Sequence, residues 1–212
     1  MRKIGWALAL VLVWSGLARA EVVIAALGDS LTQGYGLPVE DGFVPQLERW
    51  LIAQGADVRL INAGVSGDTT AGGAARVDWT LSDDVQGMIV ALGGNDLLRG
   101  LDPATSRANI DTILQAAAAR DVPVLLVGFA APQNYGADYK QAFDSIYPDL
   151  SSEYGTLYAD SFFAGLEAVT EDVAGLRSYL QADGLHPNAE AVALIVDGLG
   201  PAVLELVAQS QE

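Results

Sequence analysis

The sequence contains no cysteine and a single histidine, His186. Without cysteine, the chain cannot form disulfides, thiolate zinc sites, a cysteine nucleophile or a lipid-modified cysteine. One imidazole is also too few for a histidine-rich metal site. Any reaction of this protein that requires an imidazole base must therefore use His186.

Basic residues are scarce as well. The chain has 11 Lys and Arg against 27 Asp and Glu, which gives a formal charge of −16. Such a surface repels phosphate backbones and anionic lipid headgroups, so we expect no nucleic-acid partner. With 51% hydrophobic residues, only 8 prolines and 23 glycines, the chain is neither disordered nor of low complexity. Its 212 residues suit one domain with a substantial core.

The first 20 residues have the features of a secretory signal peptide. Arg2 and Lys3 form a basic start, and residues 4–17 form an apolar stretch. Residues 18–20 (Ala-Arg-Ala) then match the small-x-small pattern of a cleavage site. The sequence therefore predicts a signal peptide at residues 1–20 and a mature domain at residues 21–212.

An uncleaved membrane anchor is the alternative for this segment. Its apolar run is shorter than the roughly 20 residues that span a bilayer, and Arg19 interrupts its end. We expect cleavage after Ala20, export to the periplasm or the medium, and no stable membrane insertion. No later stretch is expected to have transmembrane length. The mature chain would carry 8 basic and 27 acidic side chains, a difference of −19.

Short apolar runs alternate with helix-length amphipathic segments along the mature chain. The predicted strands are residues 22–27, 58–61, 88–92, 124–129 and 157–158. The predicted helices are residues 43–54, 103–120, 139–154 and 189–208. Pro148 is expected to kink or divide the third helix, and Gly200 with Pro201 to kink or interrupt the last. This order predicts one α/β domain, a mostly parallel sheet with helices on both faces.

Small polar residues and glycines follow three of the predicted strands. These loops are Gly-Asp-Ser-Leu at residues 28–31, Asn-Ala-Gly-Val-Ser-Gly-Asp-Thr at 62–69 and Gly-Gly-Asn-Asp at 93–96. In parallel sheets the functional residues lie in loops at the carboxyl ends of the strands. A fourth segment, Asp-Gly-Leu-His-Pro-Asn at residues 183–188, contains the only histidine.

Ser30 is a candidate nucleophile because it stands just past a strand, where a helix begins. A serine nucleophile needs a base, and only His186 offers an imidazole. Asp183, three residues earlier, could accept from the other ring nitrogen and orient the ring. A serine at this place is also a common helix cap, and a lone histidine is often structural. Taken singly, each residue leaves both interpretations open.

Gly67 and Asn95 are candidate donors to a developing oxyanion. Gly67 can offer a backbone N–H at an approach that a side chain would block, and Asn95 can offer its amide. With the N–H of Ser30, three neighbouring strand ends would supply three donors. A turn glycine and a turn asparagine are the simpler explanations of the two residues.

Together these segments resemble the SGNH, or GDSL, hydrolase family. Residues 28–32, Gly67 within 62–70, residues 93–96 and residues 183–187 resemble four of its sequence blocks, in order along the chain. Residues 92–100, and 134–136 with 146–148, are similar to an exported bacterial branch of that family. This branch comprises thioesterase I, protease I, lysophospholipase L1 and related arylesterases.

The resemblance implies a flavodoxin-like sheet of about five parallel strands. It also implies that Ser30 is the nucleophile, His186 the base and Asp183 the orienting acid. Ser30, Gly67 and Asn95 would form the oxyanion hole, and neither a metal nor an organic cofactor would be required. The family places a substrate-shaping loop at the position of residues 130–136.

The expected activity is hydrolysis of carboxylic esters or thioesters through an acyl-serine intermediate, with a small-molecule substrate. A carbohydrate O-acetylesterase is the alternative among enzymes, since the same blocks serve sugar-ester deacetylation. A periplasmic binding module on the same scaffold is the alternative among non-enzymes. We expect a monomer because no heptad pattern occurs.

Overall fold

The computed structural model describes residues 21–170 and 173–211. The predicted signal peptide at residues 1–20 lies outside the described residues. Five strands form one sheet in the order β2-β1-β3-β4-β5, and all neighbouring strands are parallel. The strands are β1 Val22–Gly28, β2 Val58–Gly64, β3 Gly87–Ala91, β4 Val124–Val127 and β5 Leu157–Ala159.

Burial follows the position of each strand in the sheet. Every residue of β1, β3 and β4 is buried, which is typical of parallel strands covered by helices on both faces. The outer strands β2 and β5 are partly exposed. The predicted parallel α/β sheet is therefore confirmed.

The register brings three strand ends to one level. Gly28, the last residue of β1, pairs with Gly64 at the end of β2 and with Ala91 at the end of β3. The loops that follow these three strands therefore start side by side at the carboxyl edge of the sheet.

Ten α-helices lie in the described part of the chain. They are α1 Ser30–Gln33, α2 Phe43–Ala53, α3 Thr70–Thr80, α4 Gly94–Leu98, α5 Pro103–Ala118, α6 Ala137–Asp144, α7 Ile146–Tyr154, α8 Ala164–Glu167, α9 Val173–Leu176 and α10 Ala189–Gln209. Asp102 caps α5, because its carboxylate accepts the N–H of Ala104 at 2.9 Å. Pro103 occupies the first position of α5, where no N–H is needed.

Proline has different effects in two of the predicted helices. The segment 139–154 is divided between α6 and α7, as expected, and Pro148 lies in the first turn of α7, where its missing N–H would have no partner within the helix. α10 runs without interruption although it contains Pro201, so the predicted interruption does not occur. Helix α3 was not predicted, because glycine and alanine dominate it and leave a weak apolar period.

Helix α10 is the main core helix. It has 21 residues, and the mean hydropathy of 1.9 over an 18-residue stretch of it would suit a membrane span, so the expectation that no later stretch has that length is wrong. Half of its most apolar stretch is buried inside the domain, and the helix packs against α2, α8 and the sheet. The apolar character of α10 is therefore that of a core helix.

Glycine permits a close crossing between α8 and α10. A Cβ atom at Gly165 would overlap the carbonyl oxygen of Leu194, and one at Gly198 would lie 2.6 Å from the nitrogen of Gly165. Backbone meets backbone at this crossing, so a larger residue cannot be accommodated by rotating a side chain.

We expect Gly165→Ala to lower the free energy of unfolding by about 1–3 kcal/mol, because α8 must move away from α10. Urea titration followed by circular dichroism measures the change. Ala168→Ser, which also adds one heavy atom but at an exposed position, is the control. Equal stability of wild type and Gly165→Ala would contradict this description of the crossing.

Candidate active site

The turn after β1 presents the Ser30 hydroxyl. Asp29, not Ser30, caps α1, because the Asp29 carboxylate accepts the N–H of Leu31 at 3.0 Å. Ser30 is the first residue of the helix, and the alternative that it serves as the cap is therefore wrong. The Ser30 side chain is buried beneath the loops of the sheet edge, with 8% of the residue exposed.

Ser30, His186 and Asp183 form one chain of hydrogen bonds. The Ser30 Oγ lies 2.9 Å from His186 Nε2, and His186 Nδ1 lies 2.7 Å from Asp183 Oδ2. A proton on Nδ1 faces the carboxylate and leaves Nε2 to accept from the serine. The residues that the sequence predicted to act together are thus in contact across 156 positions of the chain.

Asp183 also organises its own loop. Its Oδ1 accepts the backbone N–H groups of Leu185 at 2.9 Å and His186 at 3.0 Å. The hydrogen bond to the His186 ring, followed by these two backbone bonds, lowers the pKa of Asp183 to about 2. The carboxylate is therefore ionised at neutral pH and fixes both the ring and the backbone of His186.

Gln181 connects the His186 loop to the segment that follows α1. Its Nε2 donates to the carbonyl oxygens of Tyr35 at 2.8 Å and Pro187 at 2.9 Å, and its backbone N–H donates to His186 O at 2.8 Å. The Tyr35 ring lies 4.6 Å from the His186 ring, centroid to centroid. The sequence does not indicate that Gln181 and Tyr35 belong to the site, because a hydrogen bond to a backbone carbonyl leaves no sequence motif.

Gly67 lies in a tight turn beside Ser30. The N–H of Asp68 donates to Val65 O at 3.0 Å, and Gly67 has a φ of +83°, a conformation that favours glycine. Arg99, which caps the end of α4, donates from Nη2 to Gly67 O at 2.8 Å. The turn glycine is thus tied to the helix that carries Asn95.

Asp29 joins the Ser30 turn to the third loop. Its Oδ2 accepts from Asn95 Nδ2 at 3.1 Å, which uses one of the two N–H bonds of that amide. Burial raises the pKa of Asp29, while its bonds to Leu31 and Asn95 act in the opposite direction. The Asn95 amide is therefore oriented by a buried carboxyl group that directly follows the neighbouring strand β1.

Asp96 anchors the helices on either side of this edge. It is fully buried and accepts from the N–H of Thr70 at 2.9 Å and its hydroxyl at 2.6 Å, and from the Ser106 hydroxyl at 2.9 Å. The start of α3 is thereby bound to α4 and α5. A buried carboxylate needs hydrogen-bond donors for its oxygens, and these three bonds supply them. The role of Asp96 in the Gly-Gly-Asn-Asp loop is therefore structural.

The candidate residues open into one cavity of about 730 Å³. Ser30, Gly67, Asn95, Asp183 and His186 all line it. Its apolar walls are Leu31, Leu97, Leu98, Phe129, Pro132, Phe163 and Leu185, with Tyr35 and Tyr135. Within the residues that the structure describes, no group of three or more His, Asp or Glu side chains could hold a metal ion.

Several known proteins are similar to this chain over most of its length, and their descriptions agree with one another. A profile described as the GDSL-like Lipase/Acylhydrolase family matches residues 26–194. Esterase TesA of Pseudomonas aeruginosa is 35% identical over 201 residues, which are 94% of this chain and 96% of that protein. Thioesterase 1/protease 1/lysophospholipase L1 of Escherichia coli K12 is 33% identical over 192 residues, 90% of this chain and 87% of that protein.

A solved structure supports the same assignment. AlinE4, described as an SGNH-hydrolase family esterase, superposes with a TM-score of 0.70 and 43% identity, covering 88% of this chain and 96% of that one. The four sequence blocks, the parallel sheet and these relatives agree. The chain belongs to the GDSL-like lipase/acylhydrolase (SGNH hydrolase) family and is a hydrolase of ester bonds.

Proposed function

We propose that Ser30 is the nucleophile, His186 the general base and Asp183 the orienting carboxylate of a carboxylesterase. The observation that carries this proposal is the continuous contact from Ser30 Oγ through both ring nitrogens of His186 to Asp183. This chain of groups opens directly into the apolar cavity. The same arrangement argues against a binding module, which has no use for an oriented serine and base.

The reaction proceeds in two halves. Ser30 Oγ attacks the carbonyl carbon of the ester while its proton passes to His186 Nε2. The resulting oxyanion accepts hydrogen bonds from the N–H groups of Ser30 and Gly67 and from the Asn95 amide. His186 then protonates the leaving alcohol or thiol, and an acyl-Ser30 remains. Water, activated by His186, attacks the acyl group and releases the carboxylic acid.

The cavity walls favour an apolar acyl group. Its volume of about 730 Å³ and its leucine and phenylalanine side chains suit a chain of six or more carbons. A sugar deacetylase would need several polar groups to hold the carbohydrate; this cavity has polar side chains such as Ser66, Asn134 and Ser161, but its lining is mainly apolar. We therefore propose medium- to long-chain acyl esters or thioesters as substrates and retain O-acetylated carbohydrate as the alternative.

We further propose that the enzyme acts outside the cytoplasm as a monomer of residues 21–212. The support is the signal-peptide pattern of residues 1–20 and the absence of a heptad pattern in the sequence. We expect intact-mass analysis of the exported protein to give an N-terminus at Glu21. A mature protein that retains Arg2 and Lys3 would contradict cleavage.

Ser30→Ala should lower kcat/KM by at least about 10³-fold with the fold intact, because no other group replaces the nucleophile. The measurement is hydrolysis of p-nitrophenyl esters from acetate to palmitate, with Ser152→Ala on the exposed face of α7 as the control. We expect a peak at six carbons or more. An acetate-only profile would favour the deacetylase, and a folded Ser30→Ala protein with full activity would refute the assignment.

The pH profile tests the roles of His186 and Asp183. Because a histidine base must be neutral to accept the serine proton, kcat/KM should rise between about pH 5 and 8. Asp183, with a pKa of about 2, remains ionised throughout and adds no second step. Asp183→Asn should lower kcat by about 10⁴-fold, since the amide favours the wrong ring tautomer. A profile that is flat from pH 5 to 8, with chemistry rate-limiting, would contradict the base assignment.

Asp183 should also influence stability in acid. Its folded pKa of about 2 lies below the ordinary 3.8, so the carboxylate stabilises the fold above pH 4, and this contribution is lost as pH falls toward 2. Unfolding free energies of wild type and Asp183→Asn should therefore converge between pH 4 and 2. A difference that stays constant over this interval would contradict the lowered pKa.

A further inference from the structure

Arg76 reaches from α3 back to the carboxyl edge of the sheet. Its Nη2 donates to Gly28 O at 2.8 Å, its Nη1 to Ala63 O at 2.6 Å and its Nε to Asp68 Oδ2 at 2.7 Å. The side chains of Arg76 and Asp68 are only 22% and 19% exposed. One partly buried cation thus binds two backbone carbonyls and one carboxylate.

The three acceptors belong to the segments that carry the nucleophile and the turn glycine. Gly28 ends β1, two residues before Ser30, and Ala63 lies at the end of β2. Asp68 directly follows Gly67 in the chain. Gly28 O also accepts the N–H of Val65 at 3.1 Å, so the turn and the strand end are joined at the same atom.

Only a guanidinium can make this set of contacts. Arginine presents its N–H donors in a rigid planar fork, whereas the lysine ammonium is a compact point charge on a flexible stem. The positive charge also compensates the Asp68 carboxylate, which is largely shielded from water. Replacing Arg76 by lysine therefore keeps the charge but loses the simultaneous bonds to the two strand ends.

We propose that Arg76 is a positioning residue that holds the N–H groups of Ser30 and Gly67 in the relative orientation needed to bind the oxyanion. This inference rests on the proposed function of those two residues. The donors act on charge that develops in the transition state, so their displacement lowers kcat more than it raises KM. A salt bridge that serves stability alone would change the free energy of unfolding without a specific effect on kcat.

A second arginine provides a matched control. Arg120 also binds a carboxylate and a carbonyl, with Nη2 2.8 Å from Asp78 Oδ1 and Nη1 3.1 Å from Ala116 O. It follows the end of α5 and makes no contact with the strand ends that carry the site. Loss of Arg120 therefore removes the same kinds of contact, to a carboxylate and a carbonyl, at a more exposed place away from the site.

The experiment compares Arg76→Ala, Arg76→Lys, Arg120→Ala and Ser30→Ala with wild type on one medium-chain p-nitrophenyl ester. For Arg76→Ala we expect kcat to fall about 10- to 100-fold while KM changes less than about threefold. Arg76→Lys should remain impaired, and Arg120→Ala should retain wild-type kcat. Circular dichroism and urea titration at the assay temperature establish that each variant is folded.

Chemical rescue separates positioning from stability. Guanidinium chloride at low millimolar concentration should restore part of the kcat of Arg76→Ala, since the ion can occupy the vacated site beside Asp68. Sodium chloride at equal ionic strength should not, and neither salt should restore Ser30→Ala. If Arg76→Ala does not fold, two other variants replace it in the same comparison. They are Arg76→Lys and Asp68→Asn; the latter keeps the shape of the acceptor but removes its charge.

The outcomes distinguish this inference from the function on which it rests. Full activity of Ser30→Ala would overturn the proposed function itself. Wild-type kcat in a folded Arg76→Ala, beside an inactive Ser30→Ala, would overturn only the role of Arg76. A rise in KM with kcat unchanged would overturn it as well. The role of Arg76 would also be overturned if the loss of kcat followed the loss of stability and guanidinium did not restore it.

Discussion

The register of three parallel strands is the constraint on which the rest of the site depends. Gly28 of β1 is paired on one side with Gly64 of β2 and on the other with Ala91 of β3. Parallel strands point their carboxyl ends the same way, so the loops that follow must meet at one edge. A shift of one residue in either pairing would separate Ser30 from Gly67 or Asn95, because neighbouring residues face opposite sides of a sheet.

Polar contacts beneath the cavity fix the positions of these three loops relative to one another. Asp29 and Asp96 are buried carboxyl groups whose oxygens accept from the starts of two helices each, α1 and α4 for Asp29 and α3 and α5 for Asp96. Buried polar groups that are fully paired rigidify their surroundings. Arg76 and Arg99 reach the Gly67 turn from α3 and from the end of α4. A chain with few basic residues thus has two of its arginines at this turn.

His186, the proposed base, reaches the site by a different route from the other groups. His186 follows no strand of the sheet, and its loop lies just before α10. Asp183 orders the loop from within, and Gln181 ties it to Tyr35. The ionised Asp183 and the apolar cavity walls together suit a reaction in which charge develops on the substrate only in the transition state.

The sequence by itself determined the class of fold and the identity of the candidate catalytic groups. Uninterrupted apolar runs such as β1 and β4 are typical of strands covered on both faces, and a single histidine leaves one choice of imidazole base. Tertiary structure alone decided that Asp29 rather than Ser30 caps α1, and that the glycine-rich α3 is helical. It also decided which apolar residues line the cavity, since Phe129 or Leu97 could equally have joined the core. The hydrogen bonds of the Gln181 amide, and two of the three of Arg76, end on backbone carbonyls, which every residue carries, and so nothing in the sequence marks them.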